Sequence, residues 1–155
     1  MTGILAWPEH PDNKPVAHTG AFTYEMRRHW VYEDSKYIFW AKPGWRYDGA
    51  SVPGIGTALT GLHADGLLRG PCVPHDMLYE NNGYSTAVRP HPYFEIIIKD
   101  GRDRIPVREA DRLFYKMMIE AGLSRRLAVK AYLAVRVGGH YPEDRKLAHE
   151  VEYNE

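Results

Sequence analysis

Residues 107–121 read VREADRLFYKMMIEA, and this stretch decides the fold. Ala110, Leu113, Phe114, Met117, Met118 and Ala121 recur every three or four residues, which places them on one face of a helix. Gly122 is the stop signal. A stripe that regular needs a partner surface. Downstream, Ser124 can cap a second helix that runs to about Val137 and halts at Gly138-Gly139, with Leu127, Ala128, Ala131, Tyr132 and Val135 as its buried stripe. Upstream, Pro71 to Tyr79 reads as a further helix stopped by Asn81-Asn82-Gly83. Between these, Tyr93 to Lys99 reads as a strand and Asp100-Gly101 as a hairpin turn, with Arg102 to Val107 as the second arm.

The N-terminal third is aromatic and rich in turn residues. Trp30 to Glu33 and Tyr37 to Trp40 flank Asp34-Ser35-Lys36 and read as a hairpin. Their aromatic rings suit either core packing or an interaction patch. Lys42-Pro43-Gly44 turns the chain into Trp45-Arg46-Tyr47, and residues 48–70 read mostly as a long glycine-containing loop. The expected class is α+β: a short N-terminal antiparallel sheet, a long loop, then an antiparallel helix pair with an inserted β-hairpin and a further C-terminal helix. One domain over 1–155 is expected, β-rich over about 20–50 and helical over about 71–141, with a polar tail over 142–155.

Composition removes several classes of function. Twenty basic and twenty acidic residues give zero formal net charge, and the two signs are interleaved, so a nucleic-acid partner is not expected. No apolar run is long enough to span a bilayer. The first eight residues lack the basic start of a signal peptide. Cys72 is the sole cysteine, so a disulfide scaffold is excluded; burial as a small hydrophobe suits it best.

The segment that carries chemistry is His75-Asp76-Met77-Leu78-Tyr79. On a helix His75 and Tyr79 share a face, while Asp76 is turned about 100° away. An imidazole can then move a proton while the neighbouring carboxylate holds a cation. A histidine base needs a partner that fixes its tautomer, and Asp111, at the edge of the apolar stripe, is the candidate. A carboxylate there is expensive without donors, and His75 and Tyr79 are available. The same residues also suit a packing histidine and an aspartate paired with Arg108 or Arg112. In Asp48-Gly49-Ala50-Ser51-Val52-Pro53-Gly54, small residues let backbone carbonyls converge as calcium ligands; Asp48 is either a further ligand or an Asx-turn before Gly49. Ser51 is not set in a nucleophile elbow, and the eight histidines form no zinc pattern.

Four ordered motifs over about residues 36–141 resemble a domain-of-unknown-function family common in tailed bacteriophages and prophages. They are Asp48-Gly49-Ala50-Ser51-Val52-Pro53, Pro74-His75-Asp76-Met77-Leu78-Tyr79, Ala110-Asp111-Arg112-Leu113-Phe114, and Ala134-Val135-Arg136 followed by Gly138. That resemblance implies a phage origin and no particular activity. The order of glycine-containing loop, His-Asp-x-x-Tyr helix, hairpin and Ala-Asp-Arg helix is also similar, more distantly, to the phospholipase A2 core. It implies His75 as the general base for a water molecule, Asp76 as a calcium ligand with carbonyls of the preceding loop, and Tyr79 and Asp111 as orienters of the histidine. The turn at Asp100-Gly101 falls where that family has its β-wing. Its disulfides and its Tyr-Gly-Cys-x-Cys-Gly calcium loop are absent here; Asp48-Gly49-Ala50-Ser51 is the candidate replacement.

Two functions are therefore expected to compete. One is calcium-dependent hydrolysis of a lipid ester, with a phospholipid or membrane surface as partner. The other is a non-catalytic tail, virion or host-interaction protein, with phage structural proteins as partners and the His75–Tyr79–Asp111 cluster fixing helix register. Either way synthesis is expected in the host cytoplasm, with the virion as a further destination.

Overall fold

The computed structural model describes residues 11, 13–15, 24–47 and 68–144. Two three-stranded antiparallel sheets come first. One has the order β1-β2-β5, from β1 (Asn13–Pro15), β2 (Tyr24–Met26) and β5 (Arg46–Tyr47). The other has the order β3-β4-β6, from β3 (Trp30–Glu33), β4 (Tyr37–Ala41) and β6 (Phe94–Ile98). Strand alternation sets the buried face of the second sheet. Tyr32 lies opposite Phe39, and Phe39 opposite Ile96, a fully buried row across all three strands. The β3–β4 turn is the Asp34 turn read from the sequence: Asp34 Oδ1 accepts from the backbone N–H of Lys36 and of Tyr37, each at 2.8 Å. The expected N-terminal sheet is thus present, as two small sheets.

The helices named among the described residues are α1 (Arg69–Glu80), which precedes β6, and α2 (Val107–Glu120) and α3 (Arg125–Gly138), which follow it. Helix α2 buries Ala110, Leu113, Phe114, Met117 and Met118, as its spacing predicts. Helix α3 buries Ala128, Ala131 and Val135, and the Ser124 side chain accepts from the Leu127 N–H at its start. Helix α1 begins two residues before Pro71 and carries Pro74 inside it; that proline has no N–H to donate to the preceding turn. Its stop works as read: Asn82 and Gly83 both take positive φ, and a Cβ on Gly83 would stand 2.2 Å from the Ile105 carbonyl oxygen.

The helices divide the core into two apolar clusters. Val73, Met77 and Leu78 of α1 and Leu113 and Met117 of α2 pack with the sheet aromatics, among them Trp30, Tyr32, Tyr37 and Phe39. Cys72, Phe114 and Met118 pack instead with Ala128, Ala131 and Val135 of α3. Helices α1 and α2 therefore form a seam between the sheet side and the α3 side.

The inserted hairpin does not form. The Asp100-Gly101 turn is present, with Gly101 at φ +84° and its N–H on the Ile98 carbonyl. However, β6 pairs with β4, from Tyr37↔Ile98 to Ala41↔Phe94. Its other edge is met at Ile96 by Thr86, which exchanges hydrogen bonds with it. Residues 102–106 turn away and join the 83–85 segment through the Tyr84↔Arg104 bridge and the Ile105 N–H to Gly83 carbonyl bond. The local turn signal is genuine, but the burial of Phe94, Ile96 and Ile98 against the β3–β4 hairpin decides the partner.

Candidate functional site

His75, on α1, and Asp111, on α2, meet in the seam. His75 Nε2 lies 3.0 Å from Asp111 Oδ1, and the Tyr79 hydroxyl donates to the same oxygen at 2.8 Å. His75 thus meets both Phe114 and Asp111 of α2, and Tyr79, one turn on, meets Asp111. The His75 ring lies 4.4 Å from the Tyr79 ring and 4.6 Å from that of Phe114, so its plane is set from two sides. Asp111 is 0 % exposed and His75 3 %. With Nε2–H donated to the carboxylate, the neutral imidazole keeps its lone pair on Nδ1, the nitrogen free to take a proton.

The third helix supplies what the sequence reading missed. Arg136 Nη1 donates to Asp111 Oδ2 at 2.8 Å, so both carboxylate oxygens are engaged. A Cβ on Gly139, just past the end of α3, would stand 2.8 Å from the Tyr79 hydroxyl oxygen, 3.0 Å from Asp111 Oδ2 and 2.3 Å from the Val135 carbonyl oxygen. Only a glycine lets the chain pass this close to the network. Tyr141 then closes over it, its ring edge-on to Tyr79 and its hydroxyl on the Ile105 carbonyl at 2.6 Å. The fourth motif, Ala134-Val135-Arg136 followed by Gly138, contains Arg136; the glycine that packs on the network is the next residue, Gly139.

Burial alone would raise the Asp111 carboxyl. The hydrogen bond and charge of His75, with the bonds from Tyr79 and Arg136, outweigh it and hold the group below the usual carboxylate value. Burial, then the Asp111 charge and hydrogen bond, push the Tyr79 hydroxyl up, so it stays a protonated donor. Burial and the Asp76 carboxylate likewise push up the Cys72 thiol, which lies buried in the α3-side cluster.

Asp76 points elsewhere, as its position on the helix requires. It is half-buried and lines a cleft of about 300 Å³ whose walls include Trp45, Tyr47, Tyr79, Glu80 and Pro142. His75 is not among the lining residues; its neighbours Asp76 and Tyr79 are. The expected loop ligands Asp48 and Gly49 lie outside the described residues. Among the described residues no three His, Cys, Asp or Glu side chains converge, and Asp76, the described carboxylate of the expected calcium set, lines the cleft.

An α+β chain whose three helices enclose a His–Tyr–Asp–Arg network is the class this geometry defines. The chain belongs to the family described as Protein of unknown function (DUF1353), whose model matches residues 24–135. The match takes in His75, Tyr79 and Asp111 and ends one residue before Arg136. No curated protein and no solved structure matches the chain.

Proposed function

We propose that this chain hydrolyses a lipid ester by means of a His75-activated water molecule, in the manner of the phospholipase A2 core. The observation that carries the reading is the engagement of His75 Nε2 by Asp111 Oδ1 at 3.0 Å. That contact fixes the tautomer with Nδ1 as the base, and the carboxylate stabilises the imidazolium that forms. Water gives its proton to Nδ1 as its oxygen adds to the ester carbonyl. The carbon–oxygen bond to the alcohol then breaks, and the alcohol leaves with the proton returned from His75. Tyr79 holds the Asp111 oxygen in place. Asp76, on the cleft wall, is the residue that would hold calcium; when bound, that ion would polarise the carbonyl.

The test is fatty-acid release from phospholipid and lysophospholipid, with and without calcium, by wild type and His75→Gln. Turnover by wild type, lost in a variant with an unchanged melting curve, is the expected result. A wild type inert on both lipid classes under both conditions overturns the reading. Calcium titration by calorimetry on wild type and Asp76→Asn separates the metal from the base: saturable binding lost in the variant is expected.

Two observations favour a second reading, a non-catalytic phage tail, virion or host-interaction protein. Arg136 occupies the second oxygen of Asp111, and the imidazole is only 3 % exposed. A network whose carboxylate is fully engaged and has little solvent access suits a lock on helix register. On this reading His75→Gln lowers stability and the protein co-purifies with particles.

A further inference from the structure

Helix α3 carries Arg125, Arg126, Lys130 and Arg136 and no acidic residue, in a chain whose formal net charge is zero. Arg136 is spent on Asp111. Arg125, Arg126 and Lys130 are exposed and have no carboxylate partner among the described residues. At 3.6 residues per turn Arg126, Val129, Lys130, Leu133 and Val137 share one outward face. Its apolar members are exposed: Val129 is 40 % exposed, Leu133 56 % and Val137 88 %. The opposite face, Ala128, Ala131 and Val135, is already buried against α1 and α2.

We infer that the outward face of α3 docks on an anionic lipid bilayer surface. An apolar stripe flanked by cations on the same helix is what lies stably at the boundary between headgroups and acyl chains. Val129, Leu133 and Val137 enter the apolar layer, while Arg126 and Lys130 extend to the phosphates above it. Charge argues against the other occupants. A second copy meeting this face across a two-fold axis would set cations against cations with no acid on either helix to offset them. A nucleic acid would bring phosphates against three apolar side chains in the middle of the face. Arg136 and Gly139 tie the far end of the same helix to Asp111 and Tyr79, so a docked α3 would lie between the lipid and the His75 network. Docking through this face requires none of the hydrolytic steps.

Co-sedimentation of the full chain with vesicles tests it, using phosphatidylcholine alone and phosphatidylcholine with phosphatidylglycerol. Partition is expected to rise on the order of tenfold with the anionic lipid and to fall with salt. Arg126→Gln with Lys130→Gln should remove that preference, and Leu133→Gln with Val137→Gln should weaken binding to both vesicle types. All four positions are exposed, so unchanged melting curves are expected alongside. Equal partition to the two vesicle types, or none to either, overturns the inference. So does sedimentation equilibrium showing a wild-type dimer that Leu133→Gln with Val137→Gln dissociates. Binding is read without turnover, so an inert chain that sediments with anionic vesicles overturns the hydrolase and leaves the docking face standing.

Discussion

Asp34, in the β3–β4 turn, and Asp111, on α2, are buried aspartates with parallel partners. Each accepts from a tyrosine hydroxyl, Tyr32 for one and Tyr79 for the other. Each also accepts from a cation on a later helix, Lys116 at 3.0 Å and Arg136 at 2.8 Å. Each is held below the usual carboxylate value against the effect of burial. The remaining donors differ. Asp34 takes two backbone N–H groups of its own turn, and that work is finished once the hairpin exists. Asp111 takes no backbone donor among these bonds; its partners are side chains of α1 and α3, one of them an imidazole. An aspartate that closes a turn needs only its neighbours in sequence. One that holds a histidine from another helix, with an arginine behind it, depends on three helices being in place.

The largest expected effect separates the two residues directly. Asp111→Ala leaves a histidine, a tyrosine hydroxyl and a guanidinium facing an apolar gap and should cost about 3–5 kcal/mol. Asp34→Ala leaves backbone groups at a turn and a half-exposed lysine and should cost about 1–3 kcal/mol. Urea denaturation of both variants measures the gap, and equal costs would erase the distinction. The cations come next. Arg136→Met should cost about 2–3 kcal/mol, because Asp111 is sealed from water and keeps only its two side-chain donors. Lys116→Met should cost at most about 1 kcal/mol, because its partner retains two backbone donors.

The smallest effect is the dependence on acid. Both carboxyls titrate lower in the folded chain than the ordinary aspartate value of 3.8. Each therefore adds stability that is complete above that value and is lost as pH falls through the folded one. Glu109, held down to about 2 by Arg102, then by Tyr37, against burial, adds a loss of its own that is complete only below that value. The urea midpoint should fall from about pH 4.5 downward, and Asp34→Asn and Asp111→Asn should each remove part of that slope. An unchanged slope in Asp111→Asn would show that this network does not favour the ionised carboxyl.

Much of this was legible in residue spacing. The pairing of His75 with Asp111 followed from an i, i+4 histidine and tyrosine on one helix and an aspartate at the edge of an apolar stripe on another. The Ser124 cap and the Asp34 turn are local chemistry, and both formed as read. Arg136 was not legible, because an arginine near a helix end looks the same whether it faces water or a buried carboxylate. Only the packing of α3 on α2 distinguishes them. The hairpin failed for a related reason. Asp100-Gly101 is a local signal and its turn formed, but the partner of β6 is chosen by the apolar face of a hairpin far upstream. The strands β1, β2 and β5 are two or three residues long, too short for alternation to register.

The placement of β4 has a consequence for how this chain reaches its native state. β3 joins β4 across a tight turn and can zip up within about 1–10 μs, the usual time for a hairpin. β6 arrives on the other side only after residues 42–93 have been gathered in, and that loop closure must be met before any contact rewards it. Until then the outer edge of β4 stands open, with unpaired backbone groups beside Tyr37 and Phe39. This is the stage at which a newly made chain is most able to pair with another copy of itself instead of with its own later strand.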